Sequence, residues 1–468
     1  MRNTARVVVI GGGVVGCSVL YHLTKLGWTD VVLIERSELT SGSTWHAAGG
    51  FHTLNSDTNM AALQGYTIRL YRELEELTGQ SCGLHHVGGI TIATTPDRLD
   101  YLKAERAKHR YMGLDTEIIS PDEITKLSPI TDVTGVLGGL YDPLDGHLDP
   151  YGTTHAYAIA ARKAGAEIIL RNRVLELNPV DGEWDVVTEQ GTIRAQHVVN
   201  AAGLWAREVG AMAGVYLPLH PMEHQYFVTD DIPEVISHGK ELPHVMDPGG
   251  ETYLRQEGKG LVIGIYEQKC VPWAVDGTKW DFGHELLNDD LDRVAEPLEA
   301  AFKRYPVLGR ASMKKIINGP FTFAPDGNPL VGPIPGKPGL WSACAVMAGF
   351  SQGGGVGKAL SEWMVEGEAE NDVFAMDVAR FGDWTGPNWT RLKVVENYQR
   401  RFSISYPNEE LPVARPLETT PAYGIWDAQR AVFGSGYGME HVNYFAPAGE
   451  DRFEVPSFRR SNAHEVVG

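Results

Sequence analysis

The sequence predicts an α/β fold: a Rossmann-type dinucleotide-binding domain and a second, strand-rich α+β domain. Three observations predict it. The apolar run Val7-Val8-Val9-Ile10 breaks into Gly11-x-Gly13-x-x-Gly16, a second apolar run from Val31 to Ile34 ends in Glu35, and strand-like alternation recurs from about Leu217 to Pro320.

Each glycine of the first run has a separate task. Gly11 permits a tight turn, Gly13 lets backbone amides approach a pyrophosphate, and Gly16 lets the following helix lie close against the strand. That helix is expected to open at about Val14, so the amides of Val14 and Val15 and the positive end of the helix dipole face the phosphates. Glu35, with Arg36 beside it, stands about twenty residues further on, where a carboxylate accepts hydrogen bonds from ribose hydroxyls. A glycine-rich turn alone often holds no ligand. Strand, glycines, helix, strand and acid in register point to a bound adenine dinucleotide.

The next stretch is Gly42-Ser43-Thr44-Trp45-His46-Ala47-Ala48-Gly49. Its small residues allow close backbone approach, and Ser43 and Thr44 offer hydroxyls. On spacing alone His46 is either a cofactor contact or a histidine satisfied in the core. The stretch resembles the segment by which dimethylglycine and sarcosine dehydrogenases, FAD-dependent amine oxidoreductases of the D-amino-acid-oxidase-like superfamily, attach FAD through a histidine ring nitrogen to the flavin 8α carbon. The resemblance extends across essentially the whole chain. It implies that the dinucleotide is FAD and that His46 is the attachment residue, which should make the flavin a better oxidant.

With that resemblance the expected division is an FAD-binding domain in three parts (1–85, 151–216 and 321–387), a substrate domain in two (86–150 and 217–320), and a connector from 388 to 468. Met60 to Thr78 has helical spacing and ends near Gly79. His85 to Ala93 reads as a glycine-entered strand whose two adjacent histidines point oppositely, so no metal site is expected. Arg98 to Met112 and the segment from Ser120 read as helices, and Tyr141 to Pro150 as turns. After a helix from Tyr151 to Gly165 come strands in which, by the resemblance, Val174 contacts the nucleotide through its backbone. Ala201-Ala202-Gly203 gives another close approach near a helix start. Gln352-Gly353-Gly354-Gly355-Val356-Gly357 is expected to lead into a helix at about Lys358, its amides suiting the flavin N1/O2 edge; the alternative is a glycine linker. Arg415 to Pro421 and Ala431 to Gly434 resemble the connector to a folate-binding aminomethyltransferase-like domain. Tetrahydrofolate is therefore expected only with a partner domain or chain.

Composition narrows the function. The chain has 468 residues, 43% hydrophobic and 22% charged, enough for more than one core. Its 41 Lys+Arg against 60 Asp+Glu disfavour nucleic acid or an anionic membrane as partner. Cys17, Cys82, Cys270 and Cys344 form no metal or redox spacing, so reduced thiols in a cytoplasmic protein are expected. The first cofactor strand begins so early that no signal or transit peptide is expected before it.

Amine oxidation by hydride loss needs a free nitrogen lone pair, so a substrate ammonium must first lose a proton. His224 is the candidate to accept it, on the ground that imidazole titrates near neutrality, and Tyr253 the candidate to orient substrate or relay the proton. Both match positions proposed to act in dimethylglycine oxidase-type relatives; on the residues alone, a strand His and Tyr facing solvent or each other is the favoured reading. The expected reaction is oxidative demethylation of a small N-methylated amino acid, dimethylglycine first, sarcosine or methylaminobutyrate next. The product iminium would give formaldehyde or be captured by folate. Electron-transfer flavoprotein or oxygen would be the acceptor. A carboxylate-binding cation is expected but not identified. A non-catalytic FAD-binding subunit is the alternative, and NAD a third reading that leaves His46 without a role.

Overall fold

The computed structural model describes residues 2–467. One sheet runs edge to edge through Leu330–Pro333, Leu340–Cys344, Gly191–Asn200, Thr4–Ile10, Val31–Ile34 and Glu167–Ile169, with Glu183–Thr188 also pairing on Gly191–Asn200 and Val174–Val180 beyond it. Its central strands are parallel. Val7 and Val9 enter one hydrophobic core and Val8 and Ile10 the other, which explains the unbroken apolar run: both faces of this sheet are covered. In register, Ile10 lies beside Ile34 and Asn200, so Gly11, Glu35 and Ala201 emerge together at the carboxyl ends of three strands. Ligands of such sheets bind in that crevice.

The helices Val14–Lys25, Thr58–Thr78, Pro150–Lys163 and Gly349–Glu366 pack together on one face. The first begins where the sequence placed it. The last does not, and this corrects the expected glycine-rich entrance at Gln352 to Gly357. The helix opens at Gly349, and those six residues lie buried inside it. A Cβ on Gly354 would lie 3.0 Å from Thr67 Cα, one on Gly355 2.8 Å from Leu63 O, and one on Gly357 2.3 Å from Ser18 Oγ. The glycines are there because two neighbouring helices approach too closely for side chains. Gly355→Ala is therefore expected to destabilise the fold by about 1–3 kcal/mol, read as a lower denaturant midpoint with an unchanged slope.

A second sheet has the order Met313–Phe323, His220–Thr229, Gly260–Ile265, Thr252–Glu257, His244–Asp247, Gly89–Ala93, Gly138–Asp142, Glu117–Ile119. It is antiparallel except where His244–Asp247 runs parallel to Gly89–Ala93. The expected 320/321 boundary falls inside the Met313–Phe323 strand. The expected strand from His85 shortens to Gly89–Ala93, with His85 making only an isolated bridge to His147. The segment beyond 387 also does more than connect. Its helix Pro387–Gln399 buries Val394 and Tyr398 against Met222 and Phe323 of the second sheet. No helix among the described residues is long and apolar enough to cross a membrane, and the four cysteines are unpaired.

Candidate active site

A long cavity runs from the carboxyl ends of the first sheet to the inner face of the second. It is lined by Gly11, Gly13, Val14, Val15, Glu35, Arg36, Gly42, Ser43, Thr44, His46, Ala47, Ala48, Gly49, Val174, Gly203, His224 and Tyr253, all singled out in the sequence. Gly16, Trp45 and the Gln352 to Gly357 run lie outside its wall. Gly16 instead meets the turn, where a Cβ would lie 2.0 Å from Gly11 O. Trp45 packs edge-on against the His46 ring, 5.4 Å between centroids. The helix-entrance residues that do reach the cavity are Ala348, Gly349, Phe350 and Ser351.

At one end, the Glu35 carboxylate accepts hydrogen bonds from the Gly12 amide at 2.7 Å and the Ser37 amide at 2.8 Å. Burial raises its pKa, and these amides oppose the rise. Arg36 lies over the Trp205 ring and donates to the Trp280 carbonyl. Gly11 has φ +116°, and a Cβ there would lie 2.4 Å from Ala201 O, so the turn tolerates no side chain. The Val14 amide, expected to face phosphate, donates to Thr44 Oγ1 at 3.2 Å.

Midway, the 3₁₀ turn Ser43–His46 sets the His46 ring into the wall with 8% of the residue exposed. Burial pushes its pKa down to about 4, so the imidazole is neutral, and its Nε2 has no hydrogen-bond partner. Room for the ring comes from Gly319, where a Cβ would lie 2.4 Å from His46 Nδ1. Gly319 is also the cross-strand partner of His224, so the two histidines converge on one spot. The turn is tied down by Tyr226 Oη donating to His46 O at 3.0 Å and Arg255 Nε donating to Ala48 O at 2.7 Å.

At the far end, His224 Nε2 lies 3.1 Å from Tyr253 Oη and Nδ1 lies 2.9 Å from Tyr398 Oη. The near-neutral titration expected of His224 is corrected here. Burial above all, then Arg293, His46 and Arg401, push its pKa down to about 3. Tyr253 lies flat across its cross-strand partner Gly264, where any Cβ would collide with the ring. Among the described residues the cations lining the cavity are Arg36, Arg173 and Arg401. Arg36 and Arg173 both meet Trp280 at the Glu35 end, whereas Arg401 lies against Tyr266, beside His224.

The sequence reading missed Gly264, Gly319, Tyr398 and Arg401. The glycines carried no signal beyond their place in a strand pattern, and Tyr398 and Arg401 lie in the stretch read as connector. Nor did it foresee His85, His147 and Glu241 meeting near the surface, where one carboxylate bridges both imidazoles at 2.9 and 3.3 Å.

The profile of the FAD dependent oxidoreductases matches residues 6–363. The chain belongs to this family. A second profile, the FAD dependent oxidoreductase central domain, matches residues 366–420. The chain is 43% identical to mitochondrial dimethylglycine dehydrogenase of Mus musculus, covering 100% of this chain and 54% of that protein. It is 36% identical to mitochondrial sarcosine dehydrogenase of Homo sapiens, covering 96% of this chain and 49% of that one. The chain thus spans about half the length of the curated relatives it matches. The structure of L-proline dehydrogenase from P. horikoshii superposes with a TM-score of 0.72 at 25% identity, over 81% of this chain and 98% of that one. The cavity fits the family's FAD. Turn residues without side chains would meet the dinucleotide, and a buried, neutral imidazole with an orphan nitrogen stands in the cavity wall.

Proposed function

We propose that this oxidoreductase demethylates a small N-methylated amino acid, dimethylglycine first and sarcosine or a methylaminobutyrate next, with FAD held covalently by His46. The observation that carries the reading is a convergence in one cavity: His46 with its free Nε2, the His224–Tyr253 pair beside it, and the Arg401 guanidinium at the same end. Arg401 lies over the Tyr266 ring and bonds its hydroxyl but makes no salt bridge to a carboxylate among the described residues, so a substrate carboxylate supplies the missing anion. Its neighbours Tyr266 and Phe402 offer apolar surface for N-methyl groups.

When bound, FAD supplies the two-electron acceptor. The chain's own residues then bind, orient and deprotonate. Arg401 fixes the carboxylate, and Tyr253 Oη accepts from the amine N–H. His224 Nε2 accepts from Tyr253, which leaves the amine lone pair free. Electron-transfer flavoprotein or oxygen takes the electrons onward, and the product iminium hydrolyses to formaldehyde or meets tetrahydrofolate in a partner domain or chain. Similarity to dimethylglycine and sarcosine dehydrogenases supports the substrate class. One methyl group is worth too little in a pocket to choose between them by inspection.

Anaerobic bleaching of the flavin by these amino acids tests the reading; a flavin that none of them reduces leaves a non-catalytic subunit. The tether has its own test. Acid precipitation should give a yellow pellet from the natural protein and a colourless one from His46→Ala, with the pigment in the supernatant. A colourless pellet from the natural protein contradicts the tether.

A further inference from the structure

We infer that Glu267 is the terminal acceptor of the substrate's amine proton, reached from His224 through the Tyr398 hydroxyl. The inference rests on the reaction proposed above and extends it to residues outside the cavity. Tyr398 and Glu267 do not line the cavity, and neither was visible as functional in the sequence.

The hydrogen bonds have one consistent direction. Tyr398 Oη donates to Glu267 Oε2 at 3.1 Å, because an ionised carboxylate can only accept. The Tyr398 oxygen is then the acceptor for His224 Nδ1–H at 2.9 Å. With the ring proton on Nδ1, Nε2 carries the lone pair and accepts from Tyr253 Oη at 3.1 Å. Tyr253 is left with an oxygen facing the cavity, open to an ammonium N–H. When the substrate gives that proton to Tyr253, Tyr253 passes its own to Nε2, Nδ1 passes one to Tyr398, and Tyr398 passes one to Glu267. The amine is neutral, Glu267 is a carboxylic acid, and the three groups between have each gained and lost one proton.

His224 cannot hold the proton in such a buried place, where its pKa is pushed down to about 3. Glu267 can, because of its company. It is 1% exposed and faces Arg293 Nε at 2.9 Å, an ion pair poorly aligned as a hydrogen bond. Arg293 Nη1 also pairs with Glu223 Oε2 at 2.8 Å, and Glu223 accepts a further bond from Asn318. The buried Glu267 and the half-buried Glu223 share one guanidinium, so the cluster carries one negative charge in excess and becomes neutral on gaining one proton. Burial lifts Glu267 to about 7, against the pull of Arg293 and Tyr398. Of the other titratable neighbours, Cys270 is pushed up to about 12 and Tyr266 is raised by burial, so both stay protonated.

The test is Glu267→Gln, which keeps the shape and the acceptor for Tyr398 but cannot take a proton. Flavin reduction at pH 7 should slow about 10²-fold. Its rate should keep climbing as pH rises toward the amine's own ionisation, whereas in the natural protein it levels off above about 7. Tyr398→Phe, which breaks the chain while keeping the Glu267 carboxyl and its Arg293 partner, should show the same altered profile. In substrate-free protein, infrared difference spectra should show a carboxyl carbonyl band that vanishes as pH rises through about 7 and is missing in Glu267→Gln. Natural pH profiles in the variants, or no such band, overturn the relay. If Glu267→Gln does not fold, Tyr398→Phe and the infrared titration of the natural protein decide. No reduction of the natural protein by any N-methyl amino acid overturns the functional reading instead.

Discussion

Replacing His224 by alanine is expected to slow anaerobic flavin reduction by about 10²–10⁴-fold while leaving the pigment in place. The size follows from position. The ring joins Tyr253, which faces the cavity, to Tyr398, which does not, and no other described side chain is seen hydrogen-bonded to both. Alanine leaves two hydroxyls on either side of a gap, and a substrate ammonium must then lose its proton to solvent before it binds. The deficit should therefore shrink as pH rises, because more substrate arrives already neutral. His46 lies opposite, across Gly319, and makes no hydrogen bond to His224, so the flavin should stay attached. Unchanged reduction kinetics, measured by stopped flow, would remove His224 from the reaction.

Arg401→Gln should weaken the use of carboxylate-bearing substrates by about 2–5 kcal/mol, between roughly thirtyfold and a few thousandfold in kcat/KM. The glutamine keeps hydrogen-bonding capacity but not charge. Arg401 stands at the His224 end of the cavity and the other two lining arginines at the Glu35 end, so neither can replace it. A role in structure alone would lower stability and pigment content. A role in recognition raises KM for dimethylglycine while a carboxyl-free dimethylamine, poor with the natural protein, becomes no poorer. Equal loss for both amines would count against carboxylate recognition.

The dinucleotide unit was legible because its constraints are local and fall on the backbone. Gly11 needs positive φ and Gly16 has no room for a Cβ, so each demand is met by one residue type at one spacing. The run from Gly353 to Gly357 obeys the same logic with a different outcome. Glycine propensity argues against a helix interior, and packing against Thr67 and Ser18 overrides it. What stayed illegible is what distance in sequence assembles. Tyr398 is 174 residues from His224, and Tyr398 is 131 from Glu267, so no pattern read along the chain could join the three. His224 itself was singled out and lines the cavity, but its titration is set by burial, which the strand pattern did not reveal.

The most direct measurement is the absorbance of the bound flavin after anaerobic mixing with dimethylglycine, beside trimethylamine as a substrate without a carboxylate. Rapid loss of the oxidised flavin band with the first and not the second is the result predicted. A band that persists with dimethylglycine, sarcosine and methylaminobutyrate alike, in protein whose flavin dithionite still reduces, would contradict the account.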